Sequence, residues 1–120
     1  SPPPLLQITK SIISESGENI SLSFFVPNTL SLLEGHFPQQ PIVAGVVQIY
    51  WADSYAREYY DISDTAYKLN QIKFSKLIKP AAHYQLNLSR VKDGKSIKFE
   101  ICDPENIYAS GQLSYDLEGE

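Results

Sequence analysis

One stretch of this chain reads as a long helix, and it stands alone among strands. Residues 46–60 contain neither glycine nor proline, and apolar side chains recur at Val46, Ile49, Ala52, Ala56 and Tyr59, three or four positions apart. At ~1.5 Å per residue such a helix is roughly 22 Å long. Residues 5–15 and 20–26 before it read as strands, the second alternating Ile20, Leu22, Phe24 and Val26 against Ser21, Ser23 and Phe25. Four more strands follow, over residues 66–77, 83–91, 96–102 and 108–117, with clear alternation at Tyr84, Leu86, Leu88 and at Ile97, Phe99, Ile101. Gly17-Glu18-Asn19, Asp93-Gly94 and Asp103-Pro104-Glu105-Asn106 read as turns between them. Asn28 or Thr29 is placed to cap a short helical turn through Glu34. Because no helix recurs between the last four strands, a parallel doubly wound sheet is excluded. The economical solution is α+β: an antiparallel sheet wrapped around one central helix.

Length and composition fit one domain over residues 5–120, since 120 residues with 42% hydrophobic content supply a single core. Ser1-Pro2-Pro3-Pro4 is expected to be disordered or expression-derived, and the lack of any methionine suggests a processed start. A formal net charge of −4 argues against nucleic-acid binding. Lys68, Lys73, Lys76 and Lys79 have two readings: solvated strand and turn residues that limit edge pairing, or a surface for an acidic carrier protein. The single cysteine, Cys102, excludes an internal disulfide and reads as a small strand residue in a reducing compartment. With no apolar run of about eighteen residues and no signal-peptide pattern, the expectation is a cytoplasmic protein without a membrane span.

The chemistry concentrates in Gly35-His36-Phe37-Pro38-Gln39-Gln40-Pro41-Ile42-Val43-Ala44-Gly45-Val46-Val47. Pro38 and Pro41 fix two φ angles and hold Phe37 and Gln40 extended, which makes a stiff loop able to keep one imidazole in place. Histidine, with an ordinary pKa of about 6.5, can act as a base near neutral pH. Gly45 then opens the helix, where free N–H groups and the positive end of the helix dipole favour an oxygen gaining negative charge. Without the flanking prolines and glycine, His36 would read as an ordinary loop residue. His83, at the start of a strand and with no ligand pattern around it, reads as a surface residue, and no metal site is expected.

This run resembles the signature of the hotdog-fold 3-hydroxyacyl-acyl-carrier-protein dehydratases, roughly G-H-F-P-x-x-P-h-h-P-G-V-h with h apolar. It departs only at Ala44, where the family prefers proline. Val46-Val47-Gln48-Ile49-Tyr50-Trp51-Ala52 looks most like the thioester dehydratases associated with aryl polyene biosynthesis. Phe74-Ser75-Lys76-Leu77-Ile78-Lys79-Pro80 falls where the family has a strand and a proline-containing turn, followed here by Ala81-Ala82 where Gly-Asp is common. The resemblance implies a hotdog fold, a dimer, an acyl carrier protein bearing a 3-hydroxyacyl thioester as partner, and no cofactor. It implies His36 as the base, the Gly45 N–H as donor to the thioester oxygen, the Ile42 carbonyl as the group orienting the imidazole, and Phe37 and Ser54 beside the substrate.

The family's catalytic Asp or Glu is absent. Its position is taken by Tyr50, whose phenol, with an ordinary pKa near 10, exchanges protons poorly at neutral pH. Asp53, about one helical turn on, can either supply a carboxylate to a shifted site or pair with Arg57 at i+4. Tyr50, Ser54 and Arg57 form a polar stripe that either borders a cavity or faces outward. In the family the histidine and the acid of one site come from different protomers, so both a homodimer and a heterodimer with an intact paralogous hotdog subunit are open. The alternatives to a dehydratase are a hotdog thioesterase and a non-catalytic hotdog subunit.

Overall fold

In the computed structural model, which describes residues 6–28, 42–63, 66–91 and 95–115, the alternating segments pair into one sheet. Its strands are β1 (Gln7–Ile13), β2 (Asn19–Val26), β3 (Lys68–Phe74), β4 (Ala82–Val91), β5 (Ser96–Cys102) and β6 (Ile107–Ser114), with helix α1 (Gly45–Tyr60) between β2 and β3. The order across the sheet is β1-β2-β4-β5-β6-β3, and every neighbouring pair is antiparallel. The register aligns one apolar face. Leu22 lies opposite Leu86 and Phe24 opposite Tyr84, while Leu86 and Leu88 face Ile101 and Phe99 on the other side. Because side chains alternate along a strand, these rows all turn to the same side and bury under α1. This is the hotdog arrangement expected from the sequence.

Among the described residues, β1 ends at Ile13 and β3 runs only over Lys68–Phe74, shorter than the sequence pattern suggested, although the Ser75 N–H still donates to the Tyr108 carbonyl at 2.8 Å. Both outer strands also break register, β1 between Ile8 and Lys10 and β3 between Asn70 and Lys73, where Gln71 takes a left-handed φ of 56°. Ile72 of β3 reaches across β6 at Gly111, where an added Cβ would lie 2.3 Å from Ile72 Cδ1.

The helix is rotated relative to the sequence expectation. The stripe through Val46, Ile49, Ala52, Ala56 and Tyr59 predicted the buried face, yet Val46 is 74% exposed and Ile49 and Tyr59 are only partly covered. The face on the sheet carries Val47, Gln48, Trp51, Tyr55 and Tyr60, with Ala52 and Ala56 common to both. Bulk decides the orientation: Trp51 meets Phe24 edge-on at 5.8 Å, and an aromatic side chain buries far more apolar surface than Val46 would. The phenol oxygens remain satisfied, Tyr55 donating to the Leu6 carbonyl and Tyr60 to that of Glu18, each at 2.9 Å. The helix ends at Asp61, left-handed at φ 55°, whose N–H returns to the Arg57 carbonyl.

Gly17 has φ 79° in the β1–β2 turn, and Asp103 Oδ1 accepts the N–H groups of Glu105 and Asn106 at 2.8 Å in the β5–β6 turn. Asp93-Gly94 and the helical turn of residues 29–34 lie outside the described residues. His83 is exposed, its ring 4.8 Å from that of Phe25 on the outer face of the sheet. No described helix is long and apolar enough to cross a membrane.

Candidate active site

Three successive peptides shape the approach to α1. The Val43 N–H donates to the carbonyl of fully buried Ile78 at 2.9 Å. A trans peptide points its N–H and C=O in opposite directions, so this bond turns the Ile42 carbonyl away from Ile78. The Val43 carbonyl accepts from Gln48 Nε2 at 3.1 Å. The Ala44 carbonyl accepts from the N–H groups of Val47 and Gln48 at 3.1 and 3.2 Å, which points the Gly45 N–H out of the helix start. Ala44, the N-cap, is extended at φ −65°, ψ 149° and supplies no side-chain cap. The Gly45 N–H thus faces out of the end of α1 with the helix dipole behind it.

A cleft of about 270 Å³ opens at this end, lined by Ile42, Ala44, Gly45, Gln48, Phe74 and Leu77 among others. Phe74, 47% exposed at the end of β3, lies against Gly45, and a Cβ on Gly45 would stand 2.7 Å from Phe74 Cζ. Glycine lets the Phe74 ring pack directly on the helix start; a side chain at residue 45 would have to displace that ring. The structure therefore brings Ile42 and Gly45 to one cleft. His36 and Phe37 lie outside the described residues. Tyr50, Asp53 and Ser54 lie further along α1, part-buried and outside the lining of this cleft.

Asp53 is engaged elsewhere. Its carboxylate takes Arg57 Nε at 2.9 and 3.1 Å and the Tyr115 hydroxyl at 2.7 Å. The Arg57 guanidinium lies 5.3 Å from the Tyr115 ring centre. Burial, reinforced by the bond to Asp53, pushes the Tyr115 phenol well above its ordinary range. Burial also raises the pKa of Tyr67, whose ring is 5.9 Å from that of Tyr115. The cluster ties the middle of α1 to the residue following β6. Two features of the cleft, Gln48 and Phe74, carried no role in the sequence reading. A glutamine inside an otherwise apolar run is the signal that could have found the first.

Among the described residues, one helix embraced by an antiparallel sheet, with a glycine-opened helix start beside a cleft, defines a hotdog fold. Residues 12–112 match the model of the ApeI dehydratase, and the chain belongs to that ApeI-like family. The fold is shared with the dehydratase heterocomplex ApeI:P from Xenorhabdus doucetiae, with a TM-score of 0.83 and 20% identity over 92% of this chain and 97% of that one. An uncharacterized protein from Erwinia carotovora subsp. atroseptica is 24% identical over 95% of both chains, with a TM-score of 0.65. Thioesterase superfamily member 2 from Mus musculus has a TM-score of 0.67 at 14% identity, over 88% of this chain and 79% of that one. No curated protein matches the chain.

Proposed function

We propose that this chain is a cytoplasmic subunit of a dehydratase that removes water from 3-hydroxyacyl thioesters held on an acyl carrier protein, in fatty-acid-like or aryl polyene biosynthesis. His36 takes the C2 proton, the thioester oxygen gathers charge on the Gly45 N–H, and the C2–C3 double bond forms as the 3-hydroxyl, protonated by an acid, leaves as water. The Ile42 carbonyl orients the imidazole, and Phe37 and Ser54 lie beside the acyl chain. No metal or redox cofactor enters these steps. The observation that carries the reading is the family match together with a cleft at the helix start that brings Ile42 and Gly45 together.

The acid is assigned to a paralogous hotdog subunit. Tyr50 occupies the position where the family places its carboxylate, and the nearest alternative, Asp53, already holds Arg57 and Tyr115. The Xenorhabdus doucetiae relative comes from a dehydratase heterocomplex, which supports pairing of this kind. The test is to incubate the chain alone, and co-expressed with a paralogue carrying the helix carboxylate, with 3-hydroxyacyl- and 2-enoyl-carrier-protein substrates, following interconversion by mass spectrometry. Activity in the mixed pair, abolished by removing either His36 or the partner's acid with no further loss on removing both, is the expected result. Full activity of a homodimer that ignores every paralogue refutes the pairing. A pair in which neither loss lowers turnover leaves the chain as a non-catalytic subunit, the second reading that Tyr50 favours.

A further inference from the structure

Gln48 is the one buried polar side chain among the described residues, at 4% exposure. Its Nε2 faces the Val43 carbonyl, which can only accept, so chemistry fixes the amide with nitrogen toward Val43 and Oε1 away from it. Oε1 has no hydrogen-bond partner among the described residues. Leucine or methionine would fill a similar volume without burying an acceptor that no described residue pairs, so packing among the described residues does not account for glutamine here. A broken packing rule of this kind is expected where function needs it.

What Gln48 does accomplish is visible in the bonds around it. Of the three peptides leading into α1, the first is held by Ile78 and the third by the helix itself, both through backbone bonds. The middle one, Val43–Ala44, is held by the Gln48 side chain, and Ala44 offers no cap to share that task. The Ala44–Gly45 peptide joins that plane through the Ala44 Cα, so if the plane rocks only the two bonds to the Ala44 carbonyl are left to hold the Gly45 N–H. We propose that Gln48 is a positioning residue: it clamps the Val43–Ala44 peptide and so aims the Gly45 N–H at the thioester oxygen. The chemical half of this statement rests on the dehydratase reading above, whereas the clamp itself does not.

Gln48→Met keeps an unbranched side chain and removes the amide; Gln48→Leu serves if the first variant does not fold. In the ¹⁵N-labelled full chain, the order parameters of the Ala44 and Gly45 amides should fall from about 0.85 towards 0.6, while those around Trp51 stay high. In the assembly that turns over, kcat should drop about ten-fold with KM and the thermal midpoint nearly unchanged, the signature of an interaction made in the transition state. Unchanged order parameters at residues 44 and 45 would overturn the clamp. A fall in kcat that merely tracks loss of folded protein would make Gln48 structural and overturn the positioning role. Should the parent fail to turn over in any assembly, the dehydratase reading falls, and the order parameters still decide the clamp.

Discussion

Asp53→Asn separates a structural carboxylate from a catalytic one, and the geometry sets the size of its effect. The substitution keeps an oxygen to accept the Tyr115 hydroxyl, now at 2.7 Å, but removes the charge that faces Arg57. Arg57 and Asp53 retain 26% and 15% side-chain exposure, so solvent screens the pair and its loss costs about 0.5 kcal/mol, as for other i,i+4 pairs on helices. The Tyr115 bond falls from a charged to a neutral acceptor, which removes about 1 kcal/mol more. The total is about 1.5 kcal/mol. At about 2.1 cal/mol/K of unfolding entropy per residue, a chain of 120 residues shifts by about 4 °C per kcal/mol, so the midpoint should fall by about 6 °C. Differential scanning calorimetry measures this directly. A cycle with Tyr115→Phe should return a coupling of at least about 0.5 kcal/mol, since the two side chains share one bond. Turnover per folded molecule should not change. An unshifted midpoint with turnover lost would refute the reasoning and assign the acid to Asp53.

The remaining predictions concern the loop and the helix start. His36→Ala should lower turnover roughly 10²- to 10⁴-fold while circular dichroism shows the fold retained; parental turnover in the variant removes His36 as the base. Tyr50→Asp should raise the rate of the homodimer, measured by enoyl thioester formation, although burial will raise the pKa of the new carboxyl; a folded variant no faster than the parent argues against simple loss of the acid. Ala44→Pro should stabilise the chain by about 0.4–1 kcal/mol in urea titration, because Ala44 already sits at φ −65° and its N–H makes no hydrogen bond among the described residues. Destabilisation there would mean that the N–H has a partner or that Val43 cannot adapt.

The alternating strands were legible because period-two patterning on β2, β4 and β5 needs no tertiary information to show which face is buried. The direction in which α1 faces was not. Apolar and aromatic residues surround that helix on several sides, and only the sheet's demand for Trp51, Tyr55 and Tyr60 chooses between them. Ala81 illustrates a different limit. The sequence showed Ala81 where related dehydratases often have glycine, but not why: the residue stands at a left-handed φ of 61° while its N–H reaches the Val26 carbonyl at 2.5 Å, a conformation glycine adopts without strain. At the candidate site, Gly45 could be read from the motif, and the Asp53–Arg57 pair from i,i+4 spacing. Tyr115, 62 residues from Asp53 along the chain, could not, because only the closing of the sheet brings them together.

The register breaks in β1 and β3 bear on how this protein can fail. They fall on the two rims of the sheet, the places where an unpaired ladder would recruit another strand. A foreign strand laid along either rim meets matching donors and acceptors for only a few residues before the bulge turns the backbone out of line. Growth by repeated strand addition, the route to ribbons and fibrils, is thus obstructed at both ends of the sheet by backbone geometry. That obstruction survives high salt, where the rim lysines Lys10, Lys68 and Lys73 would lose their power to repel.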